Sequence, residues 1–373
     1  MSDSDRATLA LENGWTLTGR SVGAEGESGG DLVFHTGMSG YHEILTDPSY
    51  SGQAVIMTYP LIGNYGVAAE DAESDGAWPE AFIVREMASR HSNHRATSSL
   101  PEWLRENGIV AIEGVDTRRL TRLVRTAGSL RCIVSTVDHD ADSLVDKARR
   151  AASTDGRDLA STVSCRAPYT FEEGYQDSYP AHTRASSAEK KRLVVFDLGV
   201  KRNILRSLVH VGFDVTVVPS STSAEDALAH DPDAVFFSNG PGDPAAVTAT
   251  IDAASDLVGK RPIFGICLGH QILSIVLGAK TAKMPFGHHG ANHPVRDLLT
   301  GRVEITSQNH SFAVVSESLP DSLELTHINL NDGTVEGMRH RTEAIQTVQY
   351  HPEAAPGPLD SNHLFERFRS SLD

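Results

Sequence analysis

The second half of the chain alternates regularly between short apolar runs and amphipathic segments. A β-branched and aromatic run at residues 193–196 precedes a stretch whose apolar residues recur with helical spacing, namely Ile204, Leu205, Leu208 and Val211. Further apolar runs predict strands at residues 215–218, 234–238 and 263–266, with helical segments between them. Strands and helices that alternate in this way predict a parallel sheet with helices on both faces.

The first half of the chain has a weaker pattern. Short apolar runs predict strands at residues 31–34, 53–57 and 81–84, and helices are predicted at residues 99–107 and 117–126. Between the halves, residues 166–191 are polar, contain prolines and show no apolar period, which is typical of a linker. The sequence therefore predicts a mixed α/β domain at 1–165, a linker at 166–191 and a parallel-sheet α/β domain at 192–373.

Composition and charge narrow the possible partners and location. The chain has 33 basic and 49 acidic residues, a formal charge of −16, and such a field repels nucleic acid and anionic membranes. No apolar run reaches the roughly 18 residues of a membrane span, and the first residues lack the apolar core of a signal peptide. The three cysteines are odd in number and far apart, which favours a reducing, cytoplasmic setting with free thiols.

The strongest chemical motif surrounds Cys267. Gly265 and Gly269 flank it at equal distance, after a predicted strand and before an apolar helix, as in a nucleophile elbow. A thiol there lies at the carboxyl end of the sheet and at a helix N-terminus, whose partial positive charge favours the thiolate. The next amide, that of Leu268, points to where an oxyanion would form. A buried structural cysteine is the alternative interpretation.

A nucleophile of this kind needs a base and a group that orients the base. In the segment that ends Tyr350-His351-Pro352-Glu353, alternation along a predicted strand would point His351 and Glu353 the same way. A carboxylate there can fix the imidazole tautomer, and Pro352 would end strand pairing. An ordinary surface loop is the alternative.

A third motif, Ser238-Asn-Gly240-Pro-Gly242-Asp-Pro, follows another predicted strand. Its glycines and prolines predict a loop without bulky side chains, whose amides can approach a ligand closely. Such a loop can complete an oxyanion hole or hold a substrate carboxylate. A simple tight turn is the alternative.

These three motifs, in this order, resemble the class I, triad-type, glutamine amidotransferase domain from Arg192 to the C-terminus. The resemblance implies a catalytic triad of Cys267, His351 and Glu353 that forms a γ-glutamyl thioester and releases ammonia. It also implies that the amides of Gly240 and Leu268 hold the oxyanion.

The N-terminal half resembles the small subunit of carbamoyl phosphate synthetase. The similar segments are Phe34 to Gln53, Thr58 to Asn64 and Glu113 to Thr121, and residues 201–205 and 287–294 extend the resemblance to nearly the whole chain. The resemblance implies that L-glutamine is the substrate and that the partner is the large subunit of that synthetase.

Carrying over the family's glutamine-binding positions gives a set on both halves: Ser49, Gly240, Gly242, Leu268, Gln271, Asn309, Ser311 and Phe312. Serine stands at 311 where the family pattern usually has glycine. The histidines at residues 288, 289 and 293 raise the alternative of a metal site, but their glycine-rich surroundings provide no regular element to hold a geometry, and no metal is predicted.

The chain has no phosphate-binding loop of the Walker type. We therefore expect no cofactor in this chain, with ATP and magnesium on the large subunit. Three alternatives remain: an amidotransferase subunit of a different synthetase, a stand-alone cysteine hydrolase of similar fold, and a non-catalytic regulatory subunit.

Overall fold

The computed structural model describes residues 5–175 and 189–373, which form two compact units. Unit 1 comprises residues 1–155 and 285–289, and unit 2 comprises residues 156–284 and 290–373.

The described part of unit 1 is built on strands and four helices. The strands are β1 (Arg6–Leu11), β2 (Thr16–Ser21), β3 (Glu27–Ser28), β4 (Asp31–His35), β5 (Gln53–Met57), β6 (Leu61–Ile62), β7 (Ala81–Ile83), β8 (Glu86–Met87), β9 (Val110–Glu113) and β10 (Leu130–Ser135). The helices are α1 (Tyr41–Thr46), α2 (Leu100–Glu106), α3 (Thr117–Ala127) and α4 (Ala141–Arg150).

The main sheet of unit 1 closes on itself. Its strand order is β1-β2-β9-β7-β5-β4-β10-β3, and β1 also pairs with β10. The parallel strands β4, β5, β7 and β9 are buried on both faces between two apolar clusters. The strands β4, β5 and β7 and the helices α2 and α3 confirm those predicted from the sequence. The other strands of this unit and the helices α1 and α4 were not predicted.

Two caps explain where the predicted helices of unit 1 begin. Ser99 and Glu102 form a capping box at the start of α2, because each side chain accepts a backbone N–H of the other residue. Asp116 caps α3 by accepting the Arg119 N–H at 2.9 Å. Leu120 and Val124 bury one face of α3 in the core.

Unit 2 contains the remaining described elements. The strands are β11 (Tyr169–Phe171), β12 (Lys191–Asp197), β13 (Phe213–Pro219), β14 (Ala234–Phe237), β15 (Ile263–Ile266), β16 (Thr281–Asp297, of which residues 285–289 cluster with unit 1), β17 (Val303–Val314), β18 (Leu323–Asn329), β19 (Val335–His340) and β20 (Ile345–Val348). The helices are α5 (Ala160–Val163), α6 (Arg202–His210), α7 (Ala224–Ala229), α8 (Thr248–Leu257), α9 (Leu268–Val276) and α10 (His363–Ser370).

The sheet of unit 2 has a parallel half and an antiparallel half. Strands β13, β12, β14, β15 and β20 are parallel neighbours in that order, with one apolar cluster on each face. This half confirms the predicted parallel-sheet α/β fold. The antiparallel extension through β19, β18, β16 and β17 was not predicted from the apolar pattern.

The two units differ from the predicted domain ranges at the linker. Residues 156–165 cluster with unit 2 because they contact its loops: the Asp243 N–H donates to the Arg157 carbonyl at 3.1 Å, and Ala160 joins the apolar core. Tyr169–Phe171, inside the predicted linker, pairs with β13 as β11. Residues 176–188 of that linker lie outside the described residues.

Within residues 5–175 and 189–373, no helix combines the length and the apolar character that a bilayer crossing requires.

Candidate functional site

Cys267 lies at a sharp turn between β15 and α9. Its φ of 52° and ψ of −102° are rare for a residue with a side chain, and such a conformation costs about 1–3 kcal/mol. The backbone is held there because the Cys267 N–H donates to the Val348 carbonyl of the neighbouring strand at 2.9 Å. The thiol is buried and donates to the Asn309 carbonyl at 3.6 Å. This strained turn is the one that the glycine spacing predicted.

The flanking glycines allow α9 to pack close to the neighbouring strands, whereas the unusual dihedral angles belong to Cys267 itself. A Cβ on Gly269 would lie 2.2 Å from the Phe237 carbonyl oxygen, and one on Gly265 would lie 2.7 Å from a Leu273 methyl group. Neither glycine is among the described residues with positive φ. Side chains at these positions would push α9 away from the strands β14 and β15.

His351 follows β20, the parallel neighbour of β15. Its Nδ1 donates to Glu353 Oε1 at 2.7 Å, and both side chains are buried. The predicted pairing is therefore present, but its predicted cause was wrong. β20 ends at Val348, and residues 351–354 form a turn in which the Ala354 N–H donates to the His351 carbonyl at 3.1 Å. The turn through Pro352, and not strand alternation, brings the carboxylate to the ring.

The charges around this pair make His351 a strong base. Burial is the largest single influence and favours the neutral ring. The Glu353 carboxylate, together with a hydrogen bond and charge from Cys267, nevertheless raises the pKa of His351 to about 10. Apart from this interaction with Cys267, the buried Nε2 of His351 has no hydrogen-bond partner among the described residues. The arrangement is a nucleophile, a base and an orienting carboxylate in sequence.

Lys201 is a site residue that the sequence did not predict. It lies just before α6, is 2% exposed, and donates through Nζ to Glu353 Oε1 at 2.9 Å and to the Ala354 carbonyl at 2.6 Å. Burial opposes ionisation of Glu353, but Lys201 and His351 together lower the pKa of Glu353 to about 2. The available signals were its position shortly after the buried strand β12 and its place in the 201–205 segment that carries the family resemblance.

Three of the predicted glutamine-binding residues are gathered around β17. Gln271, on α9, donates through Nε2 to the Phe312 carbonyl at 2.8 Å and to Gln349 Oε1 at 3.0 Å. Asn309 presents its carbonyl to the Cys267 thiol. The sequence did not predict Gln349, although its side chain fixes the orientation of the Gln271 amide.

Gly240 and Leu268 lie side by side at the ends of β14 and β15. A Cβ on Gly240 would be 2.0 Å from the Leu198 carbonyl oxygen and 3.0 Å from a Leu268 methyl group, so only glycine is accommodated. Gly242 has a φ of 97°, and a Cβ there would meet the Arg157 carbonyl oxygen at 2.7 Å. The loop conformation thus requires both glycines, as the Gly-Pro-Gly motif predicted.

Ser311 lies within β17 and adopts ordinary strand angles. The described non-glycine residues with positive φ are Asp231, Cys267, Ala354 and Ala355, so serine is not strained at 311.

Ser49 lies in unit 1, on a short 3₁₀ turn at Pro48–Tyr50, where its N–H donates to Asp47 Oδ1 at 2.9 Å. Its assignment to the glutamine site stays a prediction.

A buried polar network supports the β17 segment from behind. Gln308 donates through Nε2 to Glu336 Oε2 at 2.9 Å, and its Oε1 lies 3.0 Å from His310 Nε2. His310 Nδ1 lies 2.7 Å from the Phe312 carbonyl. Because a carboxylate fixes the Gln308 amide, the network sets the position of the Asn309–Phe312 segment. None of Gln308, His310 and Glu336 was singled out from the sequence.

Comparison with known proteins defines the class to which this site belongs. Residues 194–371 match the family model "Glutamine amidotransferase class-I", and residues 9–134 match "Carbamoyl-phosphate synthase small chain, CPSase domain". The first match covers Cys267, His351 and Glu353, and both agree with the resemblances stated from the sequence.

Relatives match over nearly the whole chain. A carbamoyl phosphate synthase small chain of Syntrophotalea carbinolica is 50% identical over 99% of this chain and 98% of its own length. Those of Nitratidesulfovibrio vulgaris and Akkermansia muciniphila are 52% and 53% identical, each over 98% of this chain and over 98% and 97% of their own. The chain belongs to the carbamoyl phosphate synthase small chain family.

Proposed function

We propose that this chain hydrolyses L-glutamine at Cys267 and delivers the ammonia to a carbamoyl phosphate synthase large subunit. The buried Cys267–His351–Glu353 constellation at the ends of two parallel strands carries this proposal. The names of the relatives support the large subunit as the partner.

The reaction begins with a Cys267 thiolate and a protonated His351 ring. The Cys267 thiolate attacks the side-chain carbonyl carbon of glutamine, and the amides of Leu268 and Gly240 stabilise the resulting oxyanion. His351 then transfers its proton to the departing nitrogen as the carbon–nitrogen bond breaks, which leaves a γ-glutamyl thioester and ammonia.

The neutral ring then serves as a base for the second half of the reaction. His351 takes a proton from water as the water oxygen attacks the thioester, and the collapse releases glutamate and restores the thiolate. Glu353 holds the Nδ1–H throughout, so that Nε2 is the atom that exchanges protons.

The proposed substrate positions are those that the family resemblance implies. In unit 2, Gln271, Asn309, Ser311 and Phe312 would bind glutamine together with the loop that contains Gly240 and Gly242, and Ser49 remains a further predicted glutamine-binding residue. The large subunit holds ATP and magnesium and makes carbamoyl phosphate from bicarbonate, two ATP and ammonia.

Free thiols at Cys132, Cys165 and Cys267 support a cytoplasmic location.

The test is glutaminase activity of the wild type and of Cys267→Ser, each with and without the large subunit. We expect the substitution to lower the rate of ammonia release by at least about a thousandfold. Cys165→Ser, which changes a half-buried thiol of the same unit, is the matched control and should keep the wild-type rate. Equal rates in wild type and Cys267→Ser would refute the proposal.

The remaining alternatives give different results in the same experiment. A stand-alone hydrolase would turn over amides or peptides without a partner, and the subunit of a different synthetase would not associate with the large subunit of carbamoyl phosphate synthase. A non-catalytic subunit would release no ammonia from glutamine in any combination.

A further inference from the structure

Helix α3 of unit 1 carries an exposed row of positive charge in a strongly acidic chain. Its four arginines lie on the outer side, while Leu120 and Val124 face the core; they are Arg118, Arg119, Arg122 and Arg125. The helix itself contains no acidic residue, although the whole chain has a formal charge of −16. We call this row the arginine face.

The described part of the chain does not neutralise the arginine face by ion pairing. Among residues 5–175 and 189–373, none of its four guanidinium groups forms an ion pair, whereas Arg20, Arg95 and Arg131 of the same unit each do. Asp116, the nearest carboxylate in sequence, lines the same groove but accepts the backbone N–H of Arg119 and forms no ion pair with these guanidinium groups. Four unpaired like charges on adjacent turns repel one another, which costs stability unless another molecule supplies negative charge.

Beside the arginines lies a groove with an apolar wall. It has a volume of about 570 Å³, and it is lined by Trp15, Asp116, Arg118, Arg119, Arg122, Leu123 and Thr126. The Arg119 guanidinium stacks on the Trp15 ring at 4.2 Å from its centroid, which holds both side chains in place. Preorganised tryptophan and arginine side chains are the residues that dominate binding at protein interfaces.

We propose that the arginine face and the Trp15 groove dock an acidic segment of the large subunit that also bears an apolar side chain. The row from Arg118 to Arg125 is about 10 Å long, longer than a single phosphate group needs, and the apolar wall suits a peptide. The net charge of the chain opposes nucleic acid as the occupant. This inference rests on the proposed function, since it takes the partner from there.

The test compares two double charge reversals in the full-length chain. Arg118→Glu with Arg122→Glu alters the arginine face, and Arg105→Glu with Arg150→Glu makes the same charge change on α2 and α4 of the same unit. The affinity for the large subunit from the same organism is measured by surface plasmon resonance at low and high salt. Ammonia release by the isolated chain verifies that each variant is folded.

We expect the reversal on α3 to raise Kd at least about tenfold, mainly through slower association, and to weaken its dependence on salt. The control should change Kd by less than about twofold. Equal affinities of the two variants would overturn the inference while leaving the proposed function intact. Failure of the wild type to bind the large subunit would instead overturn the proposed function.

A small anion is the remaining occupant to test. Pyrophosphate is titrated calorimetrically into the isolated wild type and into the α3 variant. Binding that the α3 reversal abolishes, together with unchanged affinity for the large subunit, would overturn the inference in favour of a small-molecule site.

Discussion

Two fully buried histidines in unit 2 are in opposite states. The pKa of His351 is raised to about 10, whereas burial, with a smaller effect of His327, lowers the pKa of His270 to about 3. Both lie near the nucleophile: His270 is three residues after Cys267 on α9, and His351 follows the adjacent strand. They differ in their polar neighbours, since His351 bonds to the Glu353 carboxylate and His270 to the Thr347 hydroxyl.

Burial alone therefore does not determine the charge of a histidine. Burial disfavours the imidazolium at both positions. At His351 the Glu353 carboxylate, together with the hydrogen bond and charge from Cys267, reverses the effect. A histidine that acts as general acid and base needs a charged neighbour such as the one His351 has in Glu353. A histidine that only fills space in the core, like His270, can have uncharged neighbours.

Replacing His351 by Asn should lower glutamine hydrolysis by about 10³-fold or more, because the proton donor and acceptor of both half-reactions is lost. Ammonia release under saturating glutamine measures the effect. His270→Asn is the matched control, with the same change at a buried position nearby, and should retain a rate within about threefold of wild type. Similar losses in the two variants would mean that the two histidines do not differ in role.

Replacing Glu353 by Gln should make His351 resemble His270. Without the carboxylate, burial and the Lys201 charge dominate, so the pKa of His351 should fall below its ordinary value of 6.5. Ammonia release should fall about 10- to 100-fold, less than for loss of the ring itself. Nitrogen NMR of labelled histidine at pH 8 provides the measurement: a protonated His351 in the wild type and a neutral one in the variant.

The pH dependence of stability follows with a definite sign. The folded pKa of His351 lies above its unfolded value, so its contribution is complete below about pH 6.5 and is lost as the pH rises through about 10. The folded pKa of Glu353 lies below its unfolded value, so its contribution is present above about pH 4.5 and is lost as the pH falls through about 2. Glu353→Gln should remove the Glu353 dependence and reverse the sign of the His351 dependence, because the folded pKa of His351 then lies below its unfolded value.

The sequence indicated Cys267, His351 and Glu353 as candidates because their signals are local. The glycines around Cys267 and the spacing of His351 and Glu353 each span a few residues, and parallel strands bring their carboxyl ends to one edge of the sheet. Lys201 could not be predicted in the same way. It is separated from Glu353 by 152 residues, and a lysine in sequence indicates a surface position until its burial is known.

The fold was predictable to a similar extent. The parallel strands of unit 2 are continuous apolar runs, which the pattern detects, and their buried faces follow from it. The closed sheet of unit 1 was not predictable. Its strand β2, Thr16–Ser21, has no continuous apolar run, and it pairs with β9, a strand about 90 residues later in the sequence.

Replacing Lys201 by Met should affect stability more than activity. Lys201 and Glu353 are both buried, and removing one partner of such a pair costs about 3 kcal/mol or more. The pKa of His351 stays raised because Glu353 remains, so ammonia release should fall less than about tenfold. Urea unfolding measures the stability. Lys190→Met, which removes an exposed lysine paired with Asp214, is the control and should cost no more than about 0.5 kcal/mol.

His270→Asn gives the smallest effect, and it tests the neutral member of the pair. The folded pKa of His270 is about 3 against about 6.5 when unfolded, so acid favours the unfolded chain between these values. At pH 5, which is 1.5 units below the unfolded pKa of His270, the free energy of unfolding is about 2 kcal/mol lower than at pH 7.

Asn keeps a polar atom near the position of Nδ1 but cannot titrate. The variant should therefore be less stable than wild type at pH 7, because a cavity replaces part of the ring, and should lose less stability on acidification to pH 5. His327, whose pKa is lowered to about 4, remains in both proteins and contributes to both curves. Parallel curves for the two proteins would show that His270 takes up a proton while folded, and the contrast with His351 would then rest on something other than the carboxylate.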